Sequence, residues 1–186
     1  MSDTPPPLNV ELHPHSPAWA GMAEAERARL KAALGDTLVT VLHIGSTAIP
    51  GIMAKPIVDL MPLVTDLDAL DARRSAIEAL GYRWYGEFGL AGRRYCVLVD
   101  PATGTRVFQL HCYRQDAPEI PRHVAFRDFL RAHPAIASEY EAEKIRAASV
   151  ASHDVNLYND EKNAWIKRME KDALAWRAAN PASPAP

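Results

Sequence analysis

The chain contains, from His43 to Leu60, the sequence HIGSTAIPGIMAKPIVDL. An apolar, β-branched run ends here in Gly45-Ser46, a loop with proline and glycine follows, and a second apolar run carries one carboxylate, Asp59. An ionised Asp in a hydrophobic strand is costly unless a positive or hydrogen-bonding group meets it. A Gly-Ser turn offers backbone N–H groups and a hydroxyl that suit a phosphate. The pattern indicates a phosphoryl-transfer site or, alternatively, an ordinary turn followed by a strand-end carboxylate.

These residues also carry a resemblance to a known superfamily. Gly-Ser, then twelve residues, then Asp resembles the signature of the polymerase-β-like nucleotidyltransferases. The full stretch is similar to the GrpB family, which belongs to that superfamily. Further family motifs are matched at residues 86–89, 92–95, 109–111, 123–134 and 158–162. The resemblance extends from about Val10 to about Met169. It implies a nucleotidyltransferase-like mixed β-sheet with helices packed on it, a C-terminal helical segment, and a nucleoside triphosphate as ligand.

Composition limits the class of protein. The 186 residues are 48% apolar and 24% charged, which is the balance of a soluble globular protein. A net charge of −2 is not that of a general nucleic-acid binder. No apolar run approaches a membrane span and the N-terminus is unlike a signal peptide, so we expect a cytoplasmic protein without membrane partners. Cys96 and Cys112 lie in apolar runs and are expected to be buried, reduced thiols.

Hydrophobic periodicity predicts an α/β (α+β) order of elements. One helix starts at Ser16-Pro17, and a second starts at Thr65 or Asp66 and ends at Gly81. Three more helices follow from about Pro121. The order of helices and strands along the chain suits a sheet with helices on one side. We expect a single domain over residues 9–178 between disordered tails at 1–8 and 179–186. Strands are predicted at residues 37–44, 56–64 and 82–85, with a hairpin of strands 93–99 and 105–113.

Three side chains are candidates for catalysis. Asp59 is the strongest, because the superfamily binds its divalent metal ion with carboxylates two residues apart on one strand. Residue 61 is Met, which cannot bind Mg²⁺ or Mn²⁺. Glu87, between glycines, is the candidate for a second metal ligand beside Asp59. His111 lies where a later strand of the superfamily supplies an acid. Glu87 and His111 each have an alternative interpretation without a function. Glu87 can be a solvated loop acid, and His111 can be a core histidine.

The candidates for phosphate or nucleotide binding come from four places in the chain. Besides Gly45 and Ser46, Lys55 stands at the mouth of the Asp59 strand. Adjacent residues of a strand point to opposite faces, so one of Arg93 and Arg94 can face the site. Tyr158 and Lys162 are four residues apart on one helix face and can reach the site together. The alternative is that Tyr158 packs in the core and Lys162 is solvated.

Two hypotheses of different class follow. In the first, the protein is an enzyme that binds a nucleoside triphosphate with Mg²⁺ or Mn²⁺ and transfers a nucleotidyl group to an unknown small acceptor. In the second, it is a noncatalytic nucleotide-binding module that has lost the second metal-binding carboxylate at Met61. A nucleic-acid partner is disfavoured by the acidic balance.

Overall fold

The computed structural model describes residues 10–151 and 153–180. The expected tails fall outside these residues, except that Ala179 ends the last helix and Asn180 is its C-cap. Eleven helices and strands are present in the described part: α1 (Ala18–Leu34), β1 (Leu38–Ile44), β2 (Val58–Val64), α2 (Leu67–Ala72), α3 (Arg74–Ala79), β3 (Tyr82–Trp84), β4 (Arg93–Val99), β5 (Arg106–Arg114), α4 (Ile120–Ala132), α5 (Pro134–Val150) and α6 (Val155–Ala179).

The strands form one mixed sheet in the order β1-β2-β5-β4-β3. The β4–β5 hairpin is antiparallel as predicted, β1 pairs antiparallel with β2, and β2 pairs parallel with β5. This parallel pairing puts Asp59 beside Gln109, although the two residues are far apart in the chain. The mixed sheet with packed helices and a C-terminal helical segment is therefore confirmed.

The helices cover both faces of the sheet, and not one face as the order of elements suggested. Helices α1 to α3 pack on the face that carries Val58, Leu60 and Cys96. The opposite face carries Met61, Leu63 and Tyr113, and it is covered in part by Ile120 at the start of α4. Strand alternation explains why Met61 lies on the same face as Asp59.

The loop between β1 and β2 joins the sheet to the C-terminal helices. Ile49 and Ile52 of this loop are buried among Phe129, Leu130 and Tyr140 of α4 and α5. Burying two isoleucines there stabilises the loop by about 3–6 kcal/mol in transfer free energy. The loop is thereby held with its two ends, the Gly-Ser turn and Lys55, beside the sheet.

Smaller differences from the predicted elements have local causes. The helix predicted from Asp66 to Gly81 is divided into α2 and α3, because Arg73 has φ −98° and ψ 8°, which leaves the helical geometry. Asp66 caps α2 through a hydrogen bond from the Ala69 N–H. Cys96 and Cys112 are buried free thiols, as predicted. Within residues 10–151 and 153–180, none of the helices combines the length and apolar character that a membrane crossing requires.

Candidate functional site

The Gly-Ser turn contacts Asp59 directly. β1 ends at Ile44, and Gly45, at φ +70°, turns the chain into a short 3-10 turn over Ser46–Ala48. A Cβ atom at Gly45 would lie 2.5 Å from Asp59 Oδ2 and 3.1 Å from Asp59 Cβ. Residue 45 is therefore suited to glycine for two reasons: its φ is positive, and a side chain would collide with the Asp59 carboxylate. The Gly-Ser turn and Asp59 are therefore adjacent, as a shared phosphoryl-transfer site requires.

Asp59 has a second neighbour, His111 of β5. The imidazole Nε2 lies 3.6 Å from Asp59 Oδ1, and its Nδ1 lies 3.5 Å from Arg93 Nη1. Because a guanidinium can only donate, Nδ1 is the acceptor, and the ring proton of a neutral His111 then faces Asp59. Tyr95 packs against the His111 ring at 5.3 Å between centroids. The pair thus has a fixed orientation at the floor of a cavity.

Three lysines approach the same cavity from three different segments, and we name them the lysine cluster: Lys55, Lys144 and Lys162. Two of them lie over the ring of Tyr158, Lys55 with its Nζ at 5.2 Å from the centroid and Lys162 at 4.4 Å. Lys144 lies over the Tyr140 ring at 4.8 Å and donates to the Met53 carbonyl. Tyr140 in turn accepts a hydrogen bond from Ser46 Oγ at 3.3 Å. The cluster is therefore linked to the Gly-Ser turn.

Burial lowers the pKa of all three amines, and repulsion from the other two lowers the pKa of Lys162 further. Burial, then the neighbouring ammonium groups of Lys55 and Lys144, lower the pKa of Lys162 to about 7. Burial lowers the pKa of Lys144 to about 8. The pKa of Lys55 is lowered by burial, although Asp59 opposes that shift. Amines that lose water and face one another in this way gain most from an anion that enters between them.

The cavity that these groups enclose has a volume of about 760 Å³. Four cationic side chains and two carboxylates are among its described lining residues. Seven of the ten predicted site residues line it: Gly45, Ser46, Lys55, Asp59, His111, Tyr158 and Lys162.

The other three predicted residues are not among those that line the cavity. Glu87 accepts a hydrogen bond from the Gly92 N–H at 2.8 Å and lies 3.7 Å from Arg94, so its carboxylate closes its own loop. Arg93 is on the His111 side of the sheet, but it donates to the Phe88 carbonyl at 2.7 Å. Arg94 is on the other side and binds both oxygens of Asp71. Only one of the two arginines faces the Asp59 side, as strand alternation predicted.

Sequence reasoning missed several residues of the cavity. Lys144 is 1% exposed, and it occupies the buried face of α5 together with Ala137, Tyr140 and Ala147. A lysine at that apolar spacing is the signal that could have found it. Burial and then Arg122 lower the pKa of His123 to about 3, so its imidazole is neutral. The remaining polar residues that were missed are Thr47, Gln109, Arg122, Asn159, Asp160 and Asn163.

Two arginines of α4 hold the ends of the Gly-Ser turn. Arg127 donates to the His43 carbonyl at 3.0 Å, and Arg131 donates to the Ala48 carbonyl at 2.7 Å. Arg127 also binds the adjacent Asp128 at 2.7 Å, although neighbours on a helix do not share a face. The long arginine side chain folds back to make this contact. The turn is therefore positioned by arginine side chains that donate to its backbone carbonyl groups. A pattern of residue types does not reveal such contacts.

The donor set does not fit a two-metal centre. Met61 occupies the position of the second acid and is fully buried among Ile44, Leu63 and Tyr113. Glu87, the predicted substitute, is engaged in its own loop. Among residues 10–151 and 153–180, no group of three His, Cys, Asp or Glu side chains is arranged to hold a metal ion. Two-metal chemistry needs more hard oxygen ligands than Asp59 provides.

Comparison with known proteins shows the family to which this chain belongs. The model of the GrpB protein family matches residues 9–172. The chain belongs to the GrpB family. The UPF0157 protein YqkA of Bacillus subtilis (strain 168) is 38% identical over 172 residues, which are 92% of this chain and 49% of YqkA, so the chain spans about half the length of that relative. The family membership predicted from the motifs is confirmed.

A solved structure from the family shares the fold of this chain. The crystal structure of the conserved protein GrpB from Enterococcus faecalis matches with a TM-score of 0.84 and 38% identity, and the match covers 90% of this chain and 99% of that one. Terminal uridylyl transferase 4 from Trypanosoma brucei with bound CTP matches with a TM-score of 0.49 and 14% identity, over 95% of this chain and 58% of that one.

Proposed function

We propose that this GrpB family member binds a nucleoside triphosphate in the cavity and transfers its nucleotidyl group to a small acceptor. The observation that carries the proposal is the convergence of the lysine cluster on a cavity whose other wall is the Gly45-Ser46 turn with Asp59. Clustered ammonium groups, a hydroxyl and backbone N–H groups suit a polyphosphate. The cavity volume is within the range of small-molecule sites.

In this proposal the triphosphate lies along the lysine cluster, with Ser46 at its α-phosphate end. The acceptor hydroxyl lies beside Asp59, whose carboxylate takes the hydroxyl proton, while His111 holds the carboxylate in place. The acceptor oxygen then bonds to the α-phosphorus, the bond from that phosphorus to the bridging oxygen breaks, and pyrophosphate leaves with the electron pair. Lys162 and Lys144 offset the charge on the departing pyrophosphate.

The test has a binding arm and a turnover arm. Calorimetric titration with ATP, GTP, CTP and UTP, each with and without Mg²⁺, is expected to show binding of at least one nucleotide. Pyrophosphate release in the presence of candidate acceptors is expected from the wild type and not from Asp59→Asn, which keeps the shape but loses the base. Asp36→Asn, at an exposed acid, is the matched control. Failure of all four nucleotides to bind at millimolar concentration would overturn the proposal.

One observation favours a second function, a noncatalytic nucleotide-binding module. Met61 is buried in an apolar cluster, so the second acid is replaced by a packed core residue. Such a protein keeps the phosphate site and lacks turnover. Nucleotide binding without pyrophosphate release in Mg²⁺ or Mn²⁺, for every acceptor offered, would select this second function.

A further inference from the structure

The charge arrangement of the cavity differs from that of a site built around metal ions. Two-metal sites place carboxylates around the ions, and the phosphates then bind to the ions. Here Asp59 is the carboxylate next to the turn, and the neighbouring acid position is an apolar Met61. The lysine cluster supplies three cationic side chains around the same space.

We infer that the cavity binds its polyphosphate as the free anion, with the lysine cluster supplying the charge that divalent ions supply in two-metal sites. The inference rests on the proposed function in assigning the lysine end of the cavity to phosphate. It adds that Mg²⁺ in solution competes with the lysines for the phosphate oxygens and does not assist binding.

The contacts of the lysines support this. Among the described residues, none of the three forms an ion pair with a carboxylate. Lys55 and Lys162 are held against one aromatic ring, Tyr158, which stabilises an ammonium group without neutralising it. Among the described residues the cluster therefore has no carboxylate at ion-pair distance, and a ligand anion can take that place.

A second consequence is proton uptake. An anion between the amines stabilises their charged forms, so binding raises the pKa of Lys162 from about 7 and that of Lys144 from about 8. At pH 8 this requires the uptake of about one proton for each anion bound. The other charged or titratable groups that line the cavity are Asp59, Arg122, Tyr140, Tyr158 and Asp160, together with His111 and His123. Outside this lining, Glu141 raises the pKa of Lys144 and Arg106 lowers that of Lys55.

The experiment uses inorganic tripolyphosphate, titrated calorimetrically into the whole chain in EDTA and again in excess Mg²⁺. We expect binding in EDTA and weaker binding in Mg²⁺. Loss of one charge-assisted contact in Lys162→Met weakens binding by about tenfold or more. Lys167→Met, at an exposed lysine of the same helix, leaves binding unchanged. Asp59→Asn binds at least as tightly as the wild type, because it removes a negative charge.

Several results would overturn the inference. These are binding that occurs only with Mg²⁺, loss of binding in Asp59→Asn, equal binding by Lys162→Met, and no binding of tripolyphosphate in EDTA. If Lys162→Met fails to fold, Lys162→Arg replaces it, and it is expected to retain binding while its proton uptake falls. Nucleotide titrations run in parallel separate the two proposals. Tripolyphosphate binding in EDTA without nucleotide binding supports the inference and rejects the function, whereas nucleotide binding that requires Mg²⁺ does the reverse.

Discussion

Gly45 and Asp59 are in van der Waals contact across the β1–β2 pair, and the space between them excludes a single methyl group. The distance from a Cβ at Gly45 to the Asp59 carboxylate would be 2.5 Å. The two ends of the sequence signature are therefore complementary in shape. A change at either end alters the position of the other.

The first prediction tests this contact by comparing two glycines. Gly51 has φ +80° and no neighbour within 4 Å, so Gly51→Ala is expected to cost about 1 kcal/mol of unfolding free energy from backbone strain alone. Gly45→Ala adds a steric clash and is expected to cost about 1–3 kcal/mol more. Urea denaturation measures both. In an Asp59→Gly background the excess cost should disappear, and its persistence would show that the contact is not responsible.

The second prediction concerns Met61. Because this side chain is fully buried among apolar residues, Met61→Asp is expected to lower the unfolding free energy by about 3 kcal/mol or more. The volume-conserving Met61→Leu is expected to cost less than about 1.5 kcal/mol. A stably folded Met61→Asp variant that binds Mg²⁺ more tightly would mean that residue 61 reaches the cavity.

The third prediction follows from Lys162. Its pKa of about 7 in the folded chain lies below the ordinary value of 10.5, so the unfolded chain binds more protons between these two pH values. Lys162 therefore makes the free energy of unfolding rise with pH between these two values. The destabilisation caused by burying its charge is fully present below about pH 7. Lys162→Met is expected to be more stable than the wild type at pH 6 by at least about 1 kcal/mol, with the difference shrinking toward pH 10.

Urea denaturation at pH 6, 8 and 10 gives the comparison. The exposed Lys167→Met should follow the wild type at each pH. A Lys162→Met variant that is less stable than the wild type at pH 6 would show that its packing against Tyr158 outweighs the cost of burying the charge.

The fourth prediction concerns the support of the Gly-Ser turn. Arg131→Met removes the hydrogen bond to the Ala48 carbonyl and is expected to cost about 1–2 kcal/mol. Ligand binding should weaken as well, because the turn loses its support. Arg27→Met, which breaks an exposed pair with Glu24, should cost less than about 0.5 kcal/mol. Unchanged binding by a folded Arg131→Met variant would show that the turn keeps its position without this contact.

Much of the fold is predictable because its signals are local. Strand composition, Asp100 and Gly104 in the turn of the β4–β5 hairpin, and the caps of the helices each act within a few residues. The Gly45, Ser46 and Asp59 part of the site is predictable for the same reason, since one loop connects them. His111 is predictable from strand alternation together with the family resemblance.

Other features depend on long-range packing or on backbone conformation. Lys144 resembles a solvated helix lysine until the apolar spacing of its neighbours is considered. Glu87 was expected near Asp59, but positive φ values at Gly86, Phe88, Gly89 and Gly92 fold its loop back on itself. The glycines permit such conformations, but they do not specify the direction in which the loop folds. Side-chain alternation therefore predicted the faces of the strands correctly, whereas the direction of this loop could not be predicted.

The cavity lies between two separately packed regions of the protein, and the β1–β2 loop connects them. The sheet with α1 to α3 has its own apolar core, and α4 to α6 form another with Ile49 and Ile52. A ligand that contacts Asp59 on one side and Lys162 on the other behaves as a removable crosslink between the two. Bound ligand is therefore expected to slow the separation of α6 from the sheet more than it tightens the turn. The amide hydrogen exchange of α6 would then become slower as the ligand concentration rises.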